Sequence, residues 1–306
     1  MKIAIVGAGA MGCLYAAAFH RAKNTVSLID VNREHIDAIN TNGLLLETRR
    51  GKENLPLPAM QPQDAEETVD LIVLFTKTFH TDSALGGVKA IIGPQTHVLT
   101  LQNGLGNDDA VAAHVPQANV LVGVSTLPSD LVGPGSVRSF GEGGSKLYPA
   151  FDSGDAGFAG QVADALSEGG LPAELDPQIH AAIWSKAIFN ATMNPLCALT
   201  RRTPGFLGSH AESRAMITLA VEEGAAVAQG CGIKLDVQSI HDLTELSMRD
   251  HADHEPSMLQ DLHAGRRTEV DSIAGAIVTA GEARGIAAPT LATLWRLIKL
   301  EEAKLV

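Results

Sequence analysis

Several features that mark large protein classes are missing or sparse in this chain. Its three cysteines, Cys13, Cys197 and Cys231, are an odd set without metal-ligand spacing. That argues against a disulfide framework and fits reduced thiols in a cytoplasm. There is no run of Lys or Arg, and the net charge is −12. Nucleic acid or an anionic membrane is therefore not expected as the main partner. A small anion remains compatible, because one local cation is enough to bind it. No apolar stretch reaches about 18 residues, and the chain enters a strand without a basic leader, so neither a membrane span nor a signal peptide is read. The eleven histidines contain no HExxH. His251 and His254 are close in RDHADHE but lack a third ligand, so no metal is expected. Internal repeats and low-complexity tails are absent.

What is present begins with MKIAIVGAGAMGCLYAAAFHRAKNTVSLID. Met1 to Val6 reads as a buried strand, Met11 to Arg21 as a helix and Thr25 to Ile29 as a second strand. Between the first two lies G-x-G-x-x-G, formed by Gly7, Gly9 and Gly12. Gly7 allows a sharp turn, Gly9 lets a pyrophosphate approach the backbone, and Gly12 lets the helix pack on the strand. The helix N-terminus, reached through Ala8, Ala10 and Met11, offers N–H groups and a favourable dipole to phosphates. Asp30 ends the second strand, where a carboxylate can accept both ribose hydroxyls. This order predicts a bound dinucleotide.

The 306 residues are 45% hydrophobic, enough for two domains with separate cores. Arg33–Asn40 reads as a helix, Gly43–Glu47 as a strand and 51–63 as a loop or short edge strand. The nearly continuous apolar run 70–76 reads as a parallel strand covered on both faces, and 97–101 and 119–127 read as further strands. Lys77 and Asn103 follow two of these strands, at the carboxyl ends where ligands bind. Asn107 or Asp108 can cap the next helix. The glycine-dense stretch 128–148 reads as hairpin strands on a sheet edge, made of 136–140 and 145–148. A helix near 157–167 and a strand near 173–175 precede a boundary at Asp176-Pro177. The fold class is α/β: a Rossmann-type, mostly parallel doubly wound sheet over 1–176, then an all-helical domain over 177–306.

The helical half is read as segments 177–200, 215–230, 236–251, 257–285 and 289–305. In the first, Lys186, Asn190 and Asn194 recur every four residues and share one face. Pro195 should kink this helix. A lysine on such a face is ordinarily a solvated one, but two amides on the same stripe make a surface for a carboxylate and a carbonyl. Desolvation would bring the lysine towards neutrality as a general acid. Ser257, Asp261 and Glu269 form a second constellation. The plainer alternative makes Ser257 a helix cap and pairs Asp261 with Arg266 or Arg267.

These pieces together resemble the ketopantoate reductase (2-dehydropantoate 2-reductase) family over nearly the whole length. The matching motifs are GAGAMG from Gly7, TKT from Thr76, QNGLG from Gln102, WSKAIFNATMNPL from Trp184, SMLQD from Ser257 and RRTEVD from Arg266. The resemblance implies a nicotinamide-dependent reduction of a 2-oxo acid to a 2-hydroxy acid, first of all 2-dehydropantoate to pantoate, in a cleft between the domains. It places the cofactor at Gly7–Gly12, Asp30, Lys77, Asn103 and Glu269. It makes Lys186 the catalytic acid, with Glu269 and Asn103 beside it. It assigns the substrate to Lys186, Asn190, Asn194, Ser257 and Asp261. A homodimer is implied by the resemblance alone.

Two departures from the family pattern stand out. NADPH-using members usually carry an arginine just after the second strand, where this chain has Ile29-Asp30-Val31-Asn32. NADH is therefore the expected cofactor, with Arg33 near enough to keep NADPH in view. Pro204 stands where the family often has another substrate-facing asparagine. NAD-dependent D-mandelate-type dehydrogenases share much of the pattern and are the second reading. From other classes, an S-adenosylmethionine-dependent methyltransferase would need only a shorter glycine motif and no Lys186. A nucleotide sensor without turnover would not need Lys186, Ser257 and Glu269 together.

Overall fold

The structure is a computed structural model and describes residues 1–305. The chain forms two compact units, Met1–Gln102 with Asn107–Ile179, and Asn103–Gly106 with everything from His180 onward.

The first unit contains β1 (Lys2–Val6), α1 (Ala10–Arg21), β2 (Thr25–Ile29), α2 (Arg33–Asn42), β3 (Leu44–Thr48), β4 (Gly51–Leu55) and β5 (Ala59–Met60). It continues with β6 (Leu71–Leu74), α3 (Thr81–Gly87), β7 (His97–Thr100), α4 (Asn107–Ala112), β8 (Val120–Ser125), β9 (Asp130–Gly133) and β10 (Ser136–Ser139). β11 (Ser145–Pro149), α5 (Ala156–Glu168) and β12 (Ala173–Leu175) complete it. Eight strands form a sheet in the order β12-β11-β8-β7-β6-β1-β2-β5. Every neighbouring pair is parallel except β8 with β11. The apolar runs of β6 and β7 are buried at every position, as parallel strands covered on both faces must be. Tyr15 and Phe19 of α1 are fully buried in the core of this unit, together with residues of β1, β2 and α5.

The stretch 128–148 departs from the expected edge hairpin. β10 pairs with β9 and, in parallel, with β3, in a separate four-stranded sheet of order β4-β3-β10-β9. β11 instead runs antiparallel to β8 in the large sheet. The glycines between β10 and β11 make this exchange possible. A Cβ on Gly141 would lie 2.0 Å from Pro128, and one on Gly143 2.8 Å from Thr126, so the chain runs backbone-close along the segment that leaves β8.

The second unit contains α6 (Ile179–Thr200), α7 (Pro204–Gly208), α8 (Ala211–Gly230), α9 (Val237–Asp250), α10 (Ser257–His263), α11 (Ala276–Glu282) and α12 (Pro289–Glu302). α6 is buried along most of its length, with Ile188, Met193, Leu196 and Cys197 in the core of this unit. α7 is too short to show a period in the sequence, and Pro204 opens it at the first helical position, where a missing N–H costs nothing. Asp236 caps α9, accepting the N–H of Ser239 at 3.2 Å.

The segment 257–285 is not one helix. α10 ends at His263, and Gly265 leaves helical geometry at φ +65° while Arg266 N–H bonds back to Asp261 C=O at 2.8 Å. Helix resumes as a π-helical turn, Asp271–Gly275, which runs into α11. Among the described residues, no helix is long and apolar enough to cross a membrane.

The tightest backbone packing in the first unit predicts a contrast between two glycines. A Cβ on Gly12 would stand 2.0 Å from the Gly7 carbonyl oxygen, whereas one on Gly9 would meet nothing within 4 Å. Gly12→Ala should cost about 1–3 kcal/mol, as overpacking against backbone does, and lower the melting temperature by several degrees. Gly9→Ala should melt like the parent yet bind a dinucleotide more weakly. Thermal melts and a dinucleotide titration of both variants check this.

Candidate active site

The carboxyl ends of three adjacent strands, β6, β1 and β2, bring together the residues singled out in the first unit. β1 pairs with β6 from Ile3–Leu71 to Val6–Leu74, and with β2 from Lys2–Thr25 to Val6–Ile29. Gly7 follows β1 at φ +96°, a conformation side chains resist, and a Cβ there would lie 2.8 Å from the backbone of Phe75 and Thr76. The glycine turn therefore lies against the chain leaving β6, one residue before Lys77. This is the switch point of a doubly wound sheet, where ligands bind.

The start of α1 suits an anion. No side chain caps it, and no acidic residue stands in its first turn. Its leading N–H groups thus keep their capacity for phosphate oxygens, and the open space at Gly9 admits them. These residues fit a dinucleotide pyrophosphate. Beneath the turn, the Cys13 thiol donates to Ala8 C=O at 3.0 Å. Burial, reinforced by the charge of Asp30, pushes that thiol up to about 12, so it stays protonated.

Asp30 does more than end β2. One carboxylate oxygen accepts the Ala8 N–H at 2.7 Å and the other the Asn32 N–H at 2.9 Å. It is therefore a strut of the glycine turn as well as a negative charge beside it. Val31 is 76% exposed and offers no positive charge, while Asn32 caps α2 by accepting the N–H of His35. Arg33 is exposed at the first position of α2.

The sequence reading overlooked Gln102. Its amide donates to Thr76 C=O at 2.8 Å, and its carbonyl oxygen accepts the Thr100 hydroxyl at 3.0 Å. It ties the ends of β6 and β7 together and fixes the residue preceding Lys77. The only signal was its place in QNGLG.

In the second unit, α6 carries Lys186, Asn190 and Asn194 on one stripe. Asn190 and Asn194 are buried and Lys186 is half-buried. Burial pushes the lysine down to about 8, and the negative charge of Glu269 opposes that shift without cancelling it. Glu269 is itself buried, just before the π-helical turn. An ammonium poised this way is charged at neutral pH and can release its proton.

Asn103 belongs by its contacts to this helical unit. The turn that carries it is docked there, with Leu105 N–H donating to Ser272 C=O at 2.9 Å. Gly104 (φ +91°) approaches so closely that a Cβ would stand 2.3 Å from the same oxygen. Ser257 is exposed at the first position of α10, and its hydroxyl does not cap that helix. Asp261 is buried and accepts two hydrogen bonds from the Arg266 guanidinium, at 3.0 and 3.1 Å. His251 and His254 are both exposed, and no group of three or more His, Cys, Asp or Glu able to hold a metal occurs among the described residues.

Comparison with known proteins decides the family. The family described as ketopantoate reductase PanE/ApbA matches residues 3–150, and its C-terminal counterpart matches residues 178–302. The chain belongs to the ketopantoate reductase family. As a member of it, the chain is an oxidoreductase with a Rossmann-type domain and a helical one. It is 38% identical to the 2-dehydropantoate 2-reductase of Streptococcus pyogenes serotype M1, covering 100% of this chain and 99% of that protein. It is 32% identical to the enzyme of that name from Pyrococcus horikoshii, over 99% and 98% of the two chains. Among solved structures, a D-mandelate dehydrogenase with NADH and anilino(oxo)acetate superposes with a TM-score of 0.95 at 37% identity, covering 100% and 99% of the two chains. A PanE/ApbA family ketopantoate reductase from Ralstonia eutropha JMP134 superposes at 0.90 with 33% identity, over 100% and 99%.

The electrostatics of Lys186 in this reductase can be measured directly. Its folded pKa of about 8 lies below the ordinary 10.5. From about pH 8 to 10.5 the unfolded chain holds a proton that the folded one has released, so this group makes stability rise with pH there. Below that window the full cost of the desolvated charge is present. Lys186→Met should therefore melt at or above the wild type at pH 7. Glu269→Gln should lower the lysine midpoint below about 8 in an NMR titration, because the charge that raises it is gone.

Proposed function

We propose that this protein is an NADH-preferring reductase of 2-oxo acids, with 2-dehydropantoate as its first substrate. The observation that carries the reading is Lys186, half-buried on the stripe it shares with the buried Asn190 and Asn194, where burial lowers it to about 8 against the opposing charge of Glu269. The curated relatives support the substrate, since they are named for it over the whole chain. The cofactor domain is assigned to 1–176 and the catalytic helical domain to 177–306, in a cytoplasmic enzyme.

The reduced nicotinamide, when bound, supplies the hydride that reaches the ketone carbon. As negative charge grows on the carbonyl oxygen, the Lys186 ammonium stabilises it and gives it a proton, ending as a neutral amine. The charge of Glu269 favours the protonated lysine until that point, and by family resemblance Glu269 would lie near a bound nicotinamide and the substrate hydroxyl. Asn103 and Asn190 fix the carbonyl in line, and Asn194 and Ser257 bind the carboxylate end. Asp261 supports α10 through its pair with Arg266. Gly7 to Gly12 cradle the pyrophosphate, Asp30 accepts the ribose hydroxyls and Lys77 lies between cofactor and substrate.

NADH preference follows from Asp30 and Val31. A 2′-phosphate would face a carboxylate and an apolar side chain, and like charges set together cost several kcal/mol. The NADH bound in the similar D-mandelate dehydrogenase agrees with this reading. The same observation, with the buried and non-polar Pro204, favours a second reading, an NAD-dependent dehydrogenase of D-mandelate type.

Initial rates with NADH and NADPH, on ketopantoate and on benzoylformate, test the proposal. NADH should exceed NADPH by roughly 100-fold in kcat/KM, and Val31→Arg should narrow that gap. Equal or greater turnover with NADPH would overturn the cofactor assignment. Faster turnover of benzoylformate than of ketopantoate would select the second reading.

Lys186 is tested separately. Lys186→Ala should lower kcat by roughly 100-fold or more. In the wild type, kcat/KM for reduction should be level below about pH 8 and fall above it, because the acid must be protonated. Oxidation of the hydroxy acid should rise through the same pH. Near-normal turnover in the alanine variant would remove Lys186 from the chemistry.

A further inference from the structure

The π-helical turn Asp271–Gly275 begins two residues after Glu269 and has no part in the chemistry described above. Such turns insert a residue into a helix and re-aim the side chains around them. This one is gripped from two sides within the helical unit.

One grip comes from a single face of α12. Trp295 Nε1–H donates to Asp271 Oδ1 at 2.9 Å, and Lys299 Nζ donates to Asp271 Oδ2 at 2.9 Å. Lys299 also donates to Glu302 Oε2 at 2.7 Å. Glu302 Oε1 in turn accepts the Thr268 N–H at 2.8 Å and the Thr268 hydroxyl at 2.7 Å. Residues on both sides of Glu269 are therefore tied to α12. A Cβ on Gly275 would lie 2.9 Å from the Trp295 ring, so the turn is packed against that ring as well as bonded to it. Burial alone would raise the Asp271 carboxyl, but donors from Lys299, Trp295 and Arg267 outweigh it and hold it below its ordinary range.

The other grip is the chain that carries Asn103. Ser272 C=O accepts the Leu105 N–H, and Gly104 leaves no room for a side chain above that oxygen. The turn therefore sits between Glu269 and Asn103 and touches the backbone of both segments.

We propose that Asp271, Trp295, Lys299 and Glu302 form a positioning cluster that fixes the π-helical turn and through it aims Glu269 and Asn103 as one unit. The proposal rests on the reading of those two residues as site residues. Half-exposed ion pairs such as Lys299–Asp271 contribute little to stability by themselves. The hydrogen-bond geometry around them instead sets the register of a turn on which two site residues depend. A side chain displaced by a fraction of an ångström loses much of its catalytic effect.

The test uses Trp295→Phe and Lys299→Met in the full chain, each made alone and combined with Glu269→Gln. Alone, each should lower kcat roughly 10- to 100-fold, with little change in KM for NADH and a melting temperature close to the parent. In the Glu269→Gln background the same substitution should cost a clearly smaller factor, since the group it aims has been removed. Hydrogen exchange at the Leu105 amide should quicken in both variants, because its acceptor is on the loosened turn. Multiplicative losses, a lowered melting temperature with unchanged kcat, or unchanged exchange at Leu105 would each overturn the proposal. Wild-type turnover in Glu269→Gln itself would instead remove Glu269 from the site, and exchange at Leu105 would then decide the coupling alone.

Discussion

A charged ammonium held partly out of water is the constraint on which the helical unit depends. Burial and the charge of Glu269 act on Lys186 in opposite directions, and burial is the larger. Were the attraction of Glu269 to dominate, the lysine would hold its proton more tightly than an ordinary lysine does. Were burial unopposed, the lysine would fall further below its ordinary value than it does. The surrounding helix bears the cost of this balance. α6 buries Asn190 and Asn194, takes Pro195 into its interior, and leaves the Thr192 hydroxyl buried without a hydrogen-bond partner among the described residues. Each of these is unfavourable in an otherwise apolar helix. Their concentration on one element fits the proposed role of α6, since a site that trades stability for chemistry carries such features.

The first unit meets an opposite electrostatic demand. The chain carries a net charge of −12, yet the proposed cofactor is an anion. Reception falls to backbone rather than to side chains. An uncapped helix start, a glycine turn with φ +96° at Gly7 and an open approach at Gly9 present N–H dipoles without a cationic patch. Overall charge is a poor guide to such a site, because the field of a few oriented amides acts only at close range.

Most elements were legible in the sequence because their signals are local. The buried runs of β6 and β7, the glycine turn and the four-residue recurrence on α6 depend on neighbours within a turn or a strand. What escaped reading depends on distant contacts. The pairing of β10 with β3 is parallel and long-range, and nothing between residues 128 and 148 announces a second sheet. The break after α10 escaped because Leu259, Leu262, Val270, Ile273 and Ile277 keep a helical period across it, while only Gly265 marks the exit. For the site, spacing placed Lys186 with Asn190 and Asn194. Glu269 entered only through family resemblance, and its charge acting on Lys186 was not read at all, since no periodicity relates α6 to a residue so far along the chain. Gln102 and Gly104 were noted only as members of QNGLG, although one ties two strand ends and the other allows a docking no larger residue could make.

Asp30 shows why cofactor choice and fold are not independent here. Its charge disfavours a 2′-phosphate, which suggests that removing it would open the site to NADPH. The same carboxylate, however, accepts the Ala8 N–H within the glycine turn and the Asn32 N–H before α2. A neutral side chain without acceptors would leave both donors to find other partners, at a cost of about 1–3 kcal/mol for each one left buried and unsatisfied. The turn proposed to cradle the pyrophosphate of either cofactor would loosen, and on that reading affinity for both would fall. Val31 carries no such duty and is largely exposed. A change of preference by way of position 31 adds a phosphate ligand while the strut stays in place. On the proposed preference the two neighbours divide the work: Asp30 holds the turn and would repel a 2′-phosphate, and a cation at 31 would admit it.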